Sequence, residues 1–165
     1  MKSNLRPMCS IDSGGYSHGR NKYGYFSFYD FPENHEQVIG FTQLFKSGEI
    51  WGIDTYYLED RSNDDVKHIH INHIEKDLIY TLDNYIKAVK DYLKLPLPIK
   101  LQIGMTNIQD FQLVDFNRNR NGTYAGKVLV NVVEHDIEIK SYDISTSELL
   151  LPFLEKLYDE AGLIR

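Results

Sequence analysis

Gly40-Phe-Thr-Gln-Leu-Phe-Lys-Ser-Gly-Glu-Ile-Trp-Gly-Ile-Asp-Thr-Tyr-Tyr-Leu58 is two runs of β-branched and aromatic residues that meet at Ser47-Gly48. Glycine takes positive φ without a Cβ clash, and the flanking residues suit a pleated, half-buried surface, so the stretch reads as a tight hairpin. If Ser47 and Gly48 alone form the turn, Lys46 faces Glu49, Leu44 faces Trp51 and Thr42 faces Ile53, with opposite charges closing the hairpin. A bulged three-residue turn shifts this register by one. In the two-residue register the opposite face carries Phe41, Phe45, Ile50 and Tyr56. Neither side is purely polar, which implies a sheet covered on both faces or one used in assembly.

Working outward, the alternation Tyr23, Tyr25, Ser27, Tyr29 against Gly24, Phe26, Phe28, Asp30 predicts a preceding strand that Pro32-Glu33-Asn34 ends. Residues 1 to 22 mix Ser, Asn, Gly and scattered charge, and read as a flexible tail or linker remnant before a single domain over residues 23–165. Val66 to Ile71 is a short strand candidate. Asn72-His-Ile-Glu75 has the form of a capping box, with Asn72 as N-cap. The helix that follows carries Ile74, Leu78, Leu82, Tyr85, Ile86, Val89 and Leu93 on one stripe, and Pro96 and Pro98 stop it. Ile99 to Met105 and Phe111 to Phe116 read as strands. Lys127 to Val133 and Ile137 to Tyr142 read as neighbouring antiparallel strands separated by the polar Glu134-His135-Asp136. Ser145-Thr-Ser-Glu148 is a second capping box, opening a helix that turns Leu149, Phe153, Leu157 and Ala161 inward and ends at Gly162. Pro152 either kinks its first turns or marks a later start. The expected class is α+β: a mainly antiparallel sheet with one long helix and a C-terminal helix packed on it.

At 165 residues the chain is long enough to bury a core without a metal or disulfide staple, and its one cysteine, Cys9, excludes an intrachain disulfide. No apolar run approaches the roughly 20 residues a bilayer span needs, and no signal-peptide core opens the sequence, so a cytoplasmic protein with no membrane role is the expectation. Formal charge is −6, although Lys2, Arg6, Arg20 and Lys22 against Asp12 make the first 22 residues net positive. The acidic excess lies in the remainder, which repels phosphate backbones at long range.

Four groups of residues could carry chemistry or binding. His68, His70 and His73 place two imidazoles on one side of a strand, where they could share a metal, but His73 falls on the first helical turn and no carboxylate is spaced to complete the set. Asp136, Glu138 and Lys140 give the acid, acid, lysine alternation used by metal-dependent nucleases, a short pattern equally at home on the solvent face of an edge strand. Arg118, Arg120 and Lys127 form a small basic patch able to contact nucleic acid or phosphate. Phe41, Tyr56, Tyr23 and Tyr25 are the aromatics available for association. Gly122 to Lys127 is not a phosphate loop, since it is one residue short and leads into a strand. Neither Cys9 nor any serine has a nucleophile's context, so no catalytic residue and no cofactor is assigned.

Three pieces of the chain resemble the C-terminal region of bacterial proteins that carry an N-terminal Schlafen/AlbA-type DNA-binding domain. They are Phe41 to Asp54, similar to a hairpin of that family; the helix from Glu75 through Leu93 with Leu95-Pro-Leu-Pro-Ile-Lys-Leu-Gln-Ile-Gly104, similar to its helix, proline and strand succession; and Pro152 to Gly162, similar to its terminal helix. The resemblance covers roughly half the chain. Trp51-Gly52 replaces the acidic residue usual after the turn, and none of the three pieces is a catalytic signature. It implies a non-enzymatic accessory module, engaged with a protein partner or a second copy of itself, that meets nucleic acid only through its parent. A metal-dependent hydrolase or nuclease using the histidine or Asp136/Glu138/Lys140 cluster is the alternative from another class, and weak nucleic-acid binding is a third.

Overall fold

In a computed structural model, residues 5–8, 15–31, 34–58, 66–116 and 124–165 are described, with only the backbone for 30, 31 and 34–37. The chain is α+β, with nine strands in mainly antiparallel pairs, one long helix and a C-terminal helix among the described residues. It divides into two compact units, residues 1–56 with 77–96, and residues 57–76 with 97–165.

The first unit is built on a four-stranded antiparallel meander: β1 (Ser17–Asn21), β2 (Gly24–Phe31), β3 (Asn34–Phe45) and β4 (Ile50–Asp54), paired in sequence order. β1 lies inside the segment read from sequence as a tail. It pairs with β2 across a turn in which Asn21 Oδ1 accepts the amides of Tyr23 and Gly24 at 2.9 and 3.0 Å, an Asx device that alternation cannot reveal. In the β3–β4 hairpin, Leu44 pairs with Ile50, Gln43 with Trp51 and Phe41 with Ile53. This is the bulged, three-residue register. The Phe45 amide donates to the Glu49 carbonyl at 2.8 Å, Gly48 N–H returns to the Phe45 carbonyl at 3.0 Å, and Gly48 takes φ 93°. Lys46 therefore sits in the loop and does not face Glu49.

Long helix α1 (Ile71–Lys87) continues as a π-helical segment, Ala88–Leu93. Its residues from Asp77 onward belong to the first unit. There Leu82, Ala88 and Val89 are buried, and Tyr85 reaches the sheet, its hydroxyl 2.6 Å from Thr42 Oγ1. Lys94, left-handed at φ 52° and ψ 42°, returns its amide to the Val89 carbonyl and ends the helix just before Pro96.

In the second unit, β5 (His68–His70) pairs in parallel with β7 (Gln112–Asp115), which pairs antiparallel with β8 (Tyr124–Lys127). A separate antiparallel pair joins β6 (Ile99–Thr106) to β9 (Val132–Ile139). The expected strands over 127–133 and 137–142 are thus replaced by β8 and β9. Glu134-His135-Asp136, read as a polar stretch separating two strands, lies inside β9, because its exposed acids simply alternate with the inward Val133, Ile137 and Ile139. α2 (Thr146–Glu160) lies against β9 and buries Leu149, Leu150, Phe153, Leu154, Leu157 and Tyr158. Ser145 is its N-cap, accepting the Glu148 amide at 3.2 Å. At the other end Gly162 and Leu163 return their amides to the Asp159 and Tyr158 carbonyls, both at 2.9 Å, the Schellman pattern. Pro152 stands inside the helix on its exposed side, where the carbonyl it leaves unpaired can meet water. Asn72 caps nothing: α1 begins one residue earlier, and the Asn72 side chain donates to Asp115 Oδ1 at 3.0 Å and accepts the Phe116 amide at 2.9 Å.

Candidate association surface

Directly opposite residues in an antiparallel sheet share a face. Phe41, Gln43 and Phe45 on β3 therefore stand with Trp51 and Ile53 on β4 and with Phe26 and Phe28 on β2. Ring contacts agree: Phe26 and Phe28 stack with centroids 6.1 Å apart, Phe45 meets Trp51 edge-on at 5.6 Å, and Tyr23 lies 6.4 Å from Phe45. Phe26 also closes over Gly19 of β1, where an added Cβ would lie 2.9 Å from its ring.

The two faces of this sheet differ. Thr42 and Ser27, on the side Tyr85 reaches, are wholly buried. On the aromatic side Trp51 and Ile53 are 56% and 53% exposed, and the four phenylalanines are half-buried. Gln43 lies beneath these rings and is fully engaged, with Nε2 donating to the Tyr25 and Leu44 carbonyls at 2.9 and 3.0 Å and Oε1 accepting from Asn21 Nδ2 at 2.9 Å. A buried amide so satisfied costs little and stiffens the sheet where the aromatics stand. Trp51 Nε1 donates to Glu49 Oε1 at 2.8 Å, which holds the indole against the face and leaves its ring exposed.

Of the aromatics expected to serve association, Phe41 lies on this face and Tyr23 at its edge. Tyr25 is on the other side, stacked on His18 at 6.0 Å. Tyr56 has left the sheet in a 3-10 turn, Tyr56–Leu58, where its amide donates to Asp54 Oδ1 at 2.7 Å. Phe26, Phe28, Phe45, Trp51 and Ile53 were not singled out from sequence. The bulged turn was the signal that would have found two of them, since it alone brings Trp51 and Ile53 to the side of Phe41 and Phe45.

The other candidate groups lie elsewhere. His68, His70 and His73 do come together: the first two rings stack at 6.2 Å, His73 is 6.1 Å from His70, and Phe116 stacks on His70 at 5.1 Å. Burial, and then the charges of His73 and His68, hold the His70 imidazole below its ordinary pKa. Asp136 and Glu138 point outward on β9, with Glu138 paired to Lys140 at 3.1 Å. Among the described residues no group of three or more His, Cys, Asp or Glu is arranged to hold a metal ion. Lys127 makes an exposed ion pair with Asp110 at 2.7 Å, which offsets its charge, and Arg118 and Arg120 lie outside the described residues. No helix among those residues is long and apolar enough to cross a membrane. Comparison of the chain with protein-family models, curated proteins and solved structures returned no match.

Proposed function

We propose that this chain is a non-enzymatic association module that pairs with a second copy of itself through the aromatic face of its N-terminal sheet, and that it serves a larger cytoplasmic regulatory protein of the Schlafen/AlbA type. The observation that carries this reading is the face itself. Exposed Trp51 and Ile53 with Tyr23 at the edge, set among four half-buried phenylalanines on one side of a sheet, exceed the scattered apolar exposure of ordinary surfaces, and aromatic residues are what association cores are enriched in. A second copy is the favoured occupant for two reasons. Flat sheet faces stack on one another about 10 Å apart with interdigitated side chains, and a two-fold axis makes one patch self-complementary. The rim at the hairpin end also carries both signs, Lys22 and Lys46 with Glu49, so two copies need not repel.

Sedimentation velocity tests this. The full chain is expected to sediment as a dimer at tens of micromolar, and Phe41→Glu or Trp51→Glu to weaken the dimer more than tenfold, about 2 kcal/mol or more for a central aromatic, with unchanged far-UV circular dichroism. A monomer at several hundred micromolar overturns the proposal.

A further inference from the structure

Within the first unit, the segment around Arg6 and one side of α1 enclose a cavity of about 300 Å³, lined chiefly by Arg6, Tyr16, Tyr80, Asn84, Lys87 and Tyr92. Tyr80, Asn84 and Lys87 follow one another at four and three residues along the helix, so they share a stripe. The Arg6 amide donates to Asn84 Oδ1 at 3.3 Å. Its guanidinium donates to the Tyr80 hydroxyl oxygen and lies 5.5 Å from that ring's centroid.

These contacts decide the chemistry of the space. They occupy the Asn84 carbonyl oxygen and the Tyr80 oxygen, the acceptors nearest Arg6. The Asn84 amide hydrogens, the Tyr80 hydroxyl hydrogen, the remaining Arg6 N–H groups and the Lys87 ammonium are donors. Among the described residues two positive charges line the cavity and no carboxylate does, in a chain whose formal charge is −6. A site rich in donors recognises a group that only accepts, and guanidinium with ammonium matches a phosphate. The volume is about ten times a water's share of about 30 Å³, more than a bare phosphate fills. Tyr16, whose ring is set edge-on against Tyr29 at 5.9 Å, and Tyr92 supply aromatic walls for the rest.

We infer that this cavity binds a phosphomonoester carried on a planar ring system, a ligand of mononucleotide size. The site shares no residue with the aromatic sheet face.

Calorimetric titration of the full chain with adenosine 5′-monophosphate, adenosine and inorganic phosphate tests it. The monophosphate is expected to bind saturably at one per chain, inorganic phosphate to compete with it, and adenosine to give no saturable heat. Lys87→Ala, an exposed helix position where alanine is well tolerated, should weaken monophosphate binding about tenfold with an unchanged melting temperature, as should Arg6→Ala. Because Arg6 also anchors its own segment, the Lys87 variant decides. No saturation by about 10 mM monophosphate, which is weaker than about 3 kcal/mol, overturns the inference. Adenosine binding as well as its monophosphate, or full affinity in Lys87→Ala, overturns it too.

Discussion

The carboxylate of Asp115, 3% exposed, receives the Tyr158 hydroxyl at 2.5 Å and the Asn72 amide at 3.0 Å. A buried charge is tolerated when hydrogen-bonded, and removing one donor leaves the desolvation cost in place. Tyr158→Phe is therefore expected to lower stability by about 1–3 kcal/mol, read from urea unfolding. His70 acts in the opposite charge state. Its folded-state pKa lies below the ordinary histidine value of 6.5, so the unfolded chain binds the proton more readily. The resulting contribution to stability is complete above pH 6.5 and is lost as pH falls below that value through the folded pKa. The urea midpoint should drop between pH 7 and pH 5, and His70→Gln should flatten that drop. Gly52 faces Tyr85, whose phenol burial pushes above its ordinary pKa, with the Asp54 charge acting in the same sense and the Thr42 hydrogen bond opposing. A Cβ at position 52 would meet the Tyr85 hydroxyl and lie 2.9 Å from Met8 Sδ. Gly52→Ala is expected to cost about 1–3 kcal/mol by displacing a hydroxyl already committed to Thr42, again seen in urea unfolding. None of these partnerships was legible in the sequence. Asn72 carries a capping pattern, yet its side chain is drawn to Asp115, 43 residues away. Local spacing holds no record of so distant a competitor.

Among the elements, hairpin and caps were legible to different degrees. Ser145 through Glu148 and Gly162 marked the ends of α2, because capping chemistry is local and needs only residues within one turn. Ser145→Ala should cost about 1 kcal/mol by leaving the Glu148 amide without its acceptor, measured as a lower thermal midpoint. The β3–β4 turn was placed correctly, but its register was left between two lengths. The structure takes the bulged one, with Gly48 at φ 93°, a backbone setting in which alanine is strained. β8 and β9 were displaced from their expected positions for a related reason. Exposed acids within a strand look like a break between strands when only composition is read, whereas pairing with β6 supplies Lys100 opposite Glu138 and Gln102 opposite Asp136.

At the scale of the whole molecule, Trp51 is the chain's one tryptophan and it stands exposed on the aromatic face. Its emission is expected to shift to shorter wavelength as concentration rises and the face is covered, and Phe41→Glu should abolish that shift; a concentration-independent spectrum counts against pairing through this surface. The sequence by itself determined the α+β class, the two helices with the caps of the second and the hairpin's position, since each depends on periodicity or on residues a few positions apart. Only the tertiary structure decided which side of the N-terminal sheet α1 engages, that Trp51 and Ile53 join Phe41 and Phe45 on the other, and that Arg6 from the supposed tail meets Tyr80 and Asn84 of α1. A one-residue change of register exchanges the faces of a strand, and which register wins is set by packing against distant elements, to which local patterns are blind.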